Sequence, residues 1–237
     1  MALKLGSTQI ASLYLGSTRI HEAYVGNVKV FGTAPSPSTV TIGGRSYPYV
    51  QIGNQLWIAE NLDWKWSSLT YRDGVNGNDW DNTWTSGQGS YFDYDESTYG
   101  ENGNKYGMLY DWYAVNQLVN PSGSGYPTLP TGWHVPTTQE WNTMINYIDS
   151  TGVDPSTALK SSTAWNGTDN YGFDALPSGW RWNSTFYNNG TQAYYWTATP
   201  YTDTKSYTVN LVQSTTIYEN DYLNIAGCSL RLCYNLT

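Results

Sequence analysis

The chain has 237 residues, enough for one sizeable domain with an appendage, and a formal net charge of −8 from 19 acidic and 11 basic side chains. That balance excludes nucleic acid and anionic membrane as main partners, since both attract Lys/Arg-rich surfaces. With 13% charged and 16% aromatic residues, the chain is too aromatic for disorder and too polar for membrane insertion.

Met1-Ala2-Leu3-Lys4 lacks the basic-then-apolar build of a secretory signal. Either a leader precedes this sequence or the protein is made in a cytosol and leaves by another route. Residues 1–33 then repeat with a ten-residue period: Leu5-Gly6-Ser7-Thr8-Gln9-Ile10, Leu15-Gly16-Ser17-Thr18-Arg19-Ile20, Val25-Gly26-Asn27-Val28-Lys29-Val30. Each unit reads as a turn followed by one short alternating strand. Three such strands cannot bury enough surface to stand alone, so the repeat is expected to serve attachment or oligomerisation, as a homotrimer. Residues 34–39 are a linker by composition.

From residue 40 onward one domain is expected. Thr39–Ile42 and Tyr47–Ile52 alternate around Gly43-Gly44 as a hairpin would. Residues 64–106 are rich in Gly, Asp, Asn and Tyr and read as irregular loop with isolated strands. A first helix is predicted over Tyr106–Val119. A second follows Thr137-Thr138-Gln139-Glu140, which has the form of a capping box, with Trp141, Met144, Ile145 and Ile148 at helical spacing. Beyond Asn170 short alternating segments broken by Gly, Pro and Asn predict strands and long loops.

The aromatic balance is skewed: 22 Tyr and 12 Trp against 4 Phe. Each buried Tyr hydroxyl or Trp N–H needs a partner, so a core has no reason to prefer them, whereas a gripping surface does. The solvent-facing contact candidates are Trp182, Tyr187, Tyr194, Tyr201, Asp203, Lys205, Tyr207, Tyr218, Asn220, Tyr222 and Asn224, expected to gather largely on one face. Trp180 and Trp196 are assigned to the framework.

Several phrases in order carry a resemblance: Ile52 to Leu62, Tyr106 to Ala114, Gly132-Trp133-His134-Val135-Pro136-Thr137 with Glu140-Trp141, Gly172 to Gly179, Trp196-Thr197-Ala198-Thr199, and Ser229-Leu230-Arg231-Leu232. Over about residues 40–237 the chain resembles the Fibrobacter-type major paralogous domain, in the formylglycine-generating-enzyme-like branch of the C-type lectin fold. The resemblance implies an α+β C-type lectin fold with two helices, a small antiparallel sheet and long ligand-bearing loops, preceded here by the β-repeat. That branch includes the variable proteins of diversity-generating retroelements, in which template adenines are mutated and Asn codons are the usual targets. The C-terminal region, about residues 175–237, is similar in alternating framework phrases with Tyr, Asn, Thr and Asp. The N-terminal repeat resembles segments of phage structural proteins from gut Bacteroidetes.

These resemblances imply a non-enzymatic binding protein without cofactor, carried on a phage tail or a bacterial surface, whose partner is a host-cell surface protein or a glycan. The alternative is a fixed-specificity adhesin or structural protein of the same fold. A copper oxidase is disfavoured. If Cys228 and Cys233 share one strand they point to opposite faces and lie roughly 16 Å apart, beyond the about 4.4–6.8 Å of a disulfide and unable to converge on one metal. Asp73–Asn82 offers oxygen ligands but no EF-hand spacing, so turn formation is preferred to Ca²⁺ binding and no metal is assigned. Tyr91–Glu96 reads as a solvated loop. His134 has no acid or nucleophile nominated beside it and is read as part of the turn that seats the second helix.

Overall fold

The computed structural model describes residues 4–5, 8–9, 13–15, 18–20, 23–25, 28–31, 38–71, 89–92, 106–182 and 185–236, with side chains from 38 onward. Asp73–Asn82 and Asp93–Glu96 lie outside the described residues. The chain forms two compact units, Met1–Ser38 and Thr39–Thr237.

In the first unit, β1 (Lys4–Leu5) pairs with β2 (Thr8–Gln9), β3 (Leu13–Leu15) with β4 (Thr18–Ile20), and β5 (Ala23–Val25) with β6 (Val28–Phe31). The closing pairs Leu5↔Thr8, Leu15↔Thr18 and Val25↔Val28 each enclose two residues, the loop length of a tight hairpin. Each repeat is therefore a two-stranded hairpin. The reading of one strand per repeat is corrected: its Gly-Ser or Gly-Asn pair joins two strands of the same unit.

The second unit opens with β7 (Ser38–Ile42) and β8 (Arg45–Ile52), joined by Gly43-Gly44 at φ +58° and +85°. Two consecutive positive φ values define the turn whose twist matches antiparallel strands. β9 (Gln55–Ile58) and β18 (Cys233–Asn235) complete a sheet in the order β18-β9-β8-β7. A smaller sheet joins β10 (Thr70–Tyr71), β11 (Ser90–Phe92) and β12 (Leu109–Tyr110).

Helix α1 spans Trp112–Val119, later than expected. Leu109–Tyr110 belongs to a strand, and the Asp111 carboxylate accepts from the Ala114 N–H at 2.8 Å, which caps the helix there. Helix α2 (Thr138–Ser150) starts at the full capping box of Thr137 and Glu140. A third helix, α3 (Pro155–Leu159), was not expected, although Asp154 caps it and Pro155 opens it. The hairpin β13 (Trp180–Trp182) and β14 (Thr185–Tyr187) precedes the antiparallel sheet β15 (Ala193–Thr202), β16 (Lys205–Leu211) and β17 (Ile217–Leu223), in that order.

The expectation of an α+β C-type lectin fold is overturned. Among the described residues the strands far outnumber the few short helices, with a curled antiparallel sheet, so the architecture is mainly β. The physical cause lies in the Tyr-, Trp-, Thr- and Val-rich segments after Trp180, which suit pleated, half-buried surfaces, while the helices among the described residues run only 8, 13 and 5 residues.

Two large aromatic cores hold the unit, beside a small cluster of Phe92 and Leu109. One packs Tyr110, Tyr194, Trp196 and Cys228 with Leu230 and Leu232. The other packs Trp57, Trp141, Phe173, Tyr195 and Cys233. Arg231 is fully buried between Asn61 Oδ1, the carbonyls of Ile58 and Phe173, each at 2.8 Å, and that of Asp174 at 3.2 Å. Lys160, 1% exposed, similarly donates to the carbonyls of Val212 and Ser214. Burial pulls the pKa of both cations down. Their anchoring by carbonyls ties the C-terminal loops to the scaffold. No described helix is long and apolar enough to cross a membrane.

Candidate ligand-binding site

The β13–β14 hairpin sets Trp180 opposite Tyr187 and Trp182 opposite Thr185, so both tryptophans share one face. Arg181 between them is 2% exposed, with its guanidinium 3.7 Å from the Phe92 ring centre, and its backbone exchanges two 2.8 Å bonds with Gly227. Those contacts hold the hairpin in place. Trp180 stacks on Tyr187 at 4.8 Å between ring centres and meets Tyr222 edge-on at 4.9 Å. Tyr194 closes the group, 5.5 Å from Tyr222. Each such pair is worth about 0.5–1.5 kcal/mol beyond its buried area, so four mutually supporting rings make a stiff wall.

A cavity of about 180 Å³ lies against this wall, lined by Trp180, Trp182, Lys205, Asp221, Tyr222, Leu223 and Ala226. It falls below the roughly 300–1,000 Å³ of pockets for drug-sized ligands, which limits it to a single ring or one side-chain-sized group. Lys205 Nζ and Asp221 Oδ2 form a 2.7 Å ion pair among its lining residues. The hydrogen bond from Lys205 to Asp221 raises the Lys205 pKa, so its charge is retained. Burial, then the neighbouring Tyr194, pushes the Tyr222 phenol up and keeps it a neutral hydroxyl. The Trp182 indole N–H is buried with no partner among the described residues. Aromatic walls, an indole donor and an ion pair suit a group with one apolar face and one polar edge.

The expected contact residues fall into three groups. Trp182, Lys205 and Tyr222 line the cavity, and Tyr187 backs it through Trp180. Tyr201 and Tyr218 are 52% and 47% exposed, Asp203 and Asn220 are exposed, and Tyr207 is half-buried with its ring 5.1 Å from Tyr201. The third group corrects the expectation. Tyr194 is 3% exposed, accepting from Asn188 Nδ2 at 2.6 Å. Asn224 is 2% exposed; its amide accepts from Ser206 Oγ at 2.8 Å and donates to the Asp203 carbonyl at 3.3 Å. Both are framework. The register places Lys205 and Tyr207 on one side of the sheet and Tyr218, Asn220 and Tyr222 on the other, yet Lys205 and Tyr222 line the same cavity.

Sequence reasoning missed Asp221, Leu223 and Ala226, and assigned Trp180 to the framework although it both anchors and lines the cavity. The available signal was Trp180-Arg181-Trp182, whose alternation places two indoles on one strand face. Trp196 is framework as read: it is fully buried and its indole donates to the Tyr110 carbonyl at 2.7 Å.

His134 does have an acid and a thiol beside it. Its Nε2 lies 2.7 Å from Glu140 Oε1 and 3.2 Å from Cys233 Sγ, while Nδ1 faces the Gly132 carbonyl at 2.9 Å. A nucleophile relay needs the acid on the imidazole nitrogen opposite the nucleophile. Here both crowd the same nitrogen, and burial drives the Cys233 thiol pKa well up, so the trio is not built as a thiol nucleophile. Cys228 and Cys233 are both free and buried, in separate cores, and only Cys233 lies in a regular strand. The premise of one strand from Cys228 to Cys233 is corrected, and the two thiols still do not converge.

No curated protein and no solved structure matches the chain. A family model does match over residues 50–233, a span containing the buried Trp57, Trp141, Trp196 and Arg231 that organise both cores. The chain belongs to the Fibrobacter succinogenes major domain family.

Proposed function

We propose that this protein is a non-enzymatic binding protein whose C-terminal Tyr-, Trp- and Asn-rich surface is diversified by a retroelement and recognises a host-cell surface protein or glycan, as part of a phage tail. The observation that carries the reading is the division of labour within residues 175–237. Trp182, Lys205 and Tyr222 line a small aromatic cavity and Tyr201 and Tyr218 are exposed, while Trp196, Leu211 and Arg231 are buried within the cores or beneath them. Rigid aromatic anchors with adaptable polar neighbours are the composition of surfaces that exchange side chains without losing their scaffold. The N-terminal hairpins, each marginal alone, serve attachment in this reading and assemble the chain as a homotrimer.

Sequencing the 3′ end of the gene across its natural population tests diversification directly. Substitutions concentrated at Trp182, Tyr201, Lys205, Tyr218 and Tyr222, with Trp196, Leu211 and Arg231 constant, are expected. A uniform C-terminus would replace the proposal with a fixed-specificity adhesin. Solution mass with and without residues 1–33 tests the trimer, and a monomer in both forms would remove it.

A further inference from the structure

Apart from the aromatic cavity, the loop before α2, its first turn and strand β18 bring three metal-type donors together. His134 Nε2, Glu140 Oε1 and Cys233 Sγ all lie within 4.8 Å of one another. The backbone enforces the meeting. His134 and Cys233 exchange two 2.9 Å bonds across an antiparallel bridge, and Glu140 is held at the start of α2 by its capping box.

Each donor is also oriented from behind. The His134 Nδ1 contact with the Gly132 carbonyl is the outer bond that directs the other imidazole nitrogen toward a metal. Glu140 Oε2 accepts from the Thr137 N–H at 2.8 Å and its hydroxyl at 2.9 Å, which aims Oε1 at His134. Asn235 Nδ2 donates to that same Oε1 at 2.6 Å. A cavity of about 400 Å³ opens beside Glu140 and Asn235, with room for water.

We propose that His134, Glu140 and Cys233 form a three-ligand Zn²⁺ site whose fourth position is filled by water from the adjoining cavity. One nitrogen, one carboxylate oxygen and one thiolate suit a borderline-soft, four-coordinate ion, and the thiolate disfavours Mg²⁺ and Ca²⁺. In the metal-free protein both imidazole nitrogens face oxygen acceptors and Cys233 is a free, buried cysteine. Binding forms Zn–N, Zn–O and Zn–S bonds in place of Zn–water bonds and breaks the Cys233 S–H bond, together with the Nε2–H bond of any ring protonated there, the protons passing to solvent with no change of oxidation state. Bond lengths of about 2.0–2.3 Å in a tetrahedron require Nε2 and Oε1 to separate to roughly 3.3 Å from their present 2.7 Å, a small side-chain movement. The bound ion would clamp β18 to the start of α2.

The test is Co²⁺ titration of the full chain after chelator dialysis. One equivalent is expected to produce a thiolate-to-cobalt charge-transfer band with tetrahedral visible bands, displaced by Zn²⁺. Cys233→Ser and His134→Ala should abolish the band, and Cys228→Ser and His21→Ala should retain it. Glu140→Gln preserves capping-box chemistry, so it should fold and weaken Zn²⁺ binding at least about tenfold. Absence of the band in the unmodified, folded chain, or its survival in Cys233→Ser, would overturn the proposal whatever the stability of the variants.

Discussion

Replacing Arg231 by Met should be among the most damaging single changes in the chain, though Arg231 lies within the region expected to vary. Its guanidinium is fully buried and donates to Asn61 Oδ1 and to the carbonyls of Ile58, Phe173 and Asp174, while lying 4.5 Å from the Phe173 ring centre. Met matches the aliphatic volume but strands three buried acceptors, those of Asn61, Ile58 and Phe173, and a part-buried fourth at Asp174. Each orphaned buried acceptor costs about 1–3 kcal/mol, and hydrogen bonds to a charge are worth about 1.5–3 kcal/mol. Relief from burying the charge offsets part of this, leaving a net loss of about 3–5 kcal/mol, as when one partner of a buried ionic contact is removed. Against a total of about 5–15 kcal/mol that loss approaches unfolding. Urea unfolding followed by circular dichroism should show the midpoint falling by about 1–2 M. Arg231→Lys should lose most of the same energy, since one ammonium cannot serve a four-acceptor fork. A midpoint within about 0.3 M of the parent would refute the argument, because solvent would then be satisfying those carbonyls.

Tyr201→Ala and Tyr218→Ala should stay within about 0.5 kcal/mol of the parent, whereas Tyr194→Ala should lose about 3–5 kcal/mol, as large-to-small core changes do; thermal melts of the three, with equal losses, would contradict the division between face and framework. Gly179→Ala should cost at least about 1 kcal/mol, because φ is +65° and a Cβ would sit 2.4 Å from the Tyr187 carbonyl oxygen; an unchanged urea midpoint would exclude that clash. The metal-free protein should show a two-sided pH dependence. Burial pushes the Glu140 carboxyl up, but hydrogen bonds from His134, Thr137 and Asn235 together outweigh it and hold it at about 2 against an ordinary 4.5. Its stabilisation is present above about 4.5 and is lost as pH falls toward 2. The hydrogen bond to Glu140 raises His134 above 6.5, so its stabilisation is present below 6.5 and fades as pH rises through the folded value. Unfolding free energies across that range should lose the acid limb in Glu140→Gln; an unchanged acid limb would show that other carboxylates set it.

Much of the local structure was legible because it rests on local chemistry. The capping box of Thr137 and Glu140 and the Gly43-Gly44 turn depend on neighbours a few residues apart. The Asp154-Pro155 start of α3 carried an equally local signal, which the polar Ser-Thr surroundings obscured. Fold class was less legible, because the same phrases that mark the family do not state how many of the intervening residues pair as strands. Least legible was the meeting of His134 with Cys233. It depends on a bridge between residues 99 positions apart, and no spacing rule in one sequence reports such a pairing.

The contact surface itself was only partly legible, for a reason the β15–β17 sheet makes plain. Lys205 and Tyr207 share their side of the sheet with Val209 and Leu211. The latter two lie in the core that contains Trp141, Met144 and Ile148 of α2, and the former two lie toward the opposite end of the strand. Alternation assigns a side but cannot say where its cover ends; on β15 burial gives way only from Ala198 onward. Tyr194 and Asn224 therefore look identical in kind to Tyr201 and Asn220, yet the first pair is enclosed and the second exposed. If retroelement variation operates here, population sequencing should follow exposure and not residue type, with Tyr201, Tyr218 and Asn220 varying while Tyr194 and Asn224 stay constant. Equal variation at all five would mean that the Asn188–Tyr194 and Ser206–Asn224 hydrogen bonds impose no constraint, and the separation of face from framework would fall with them.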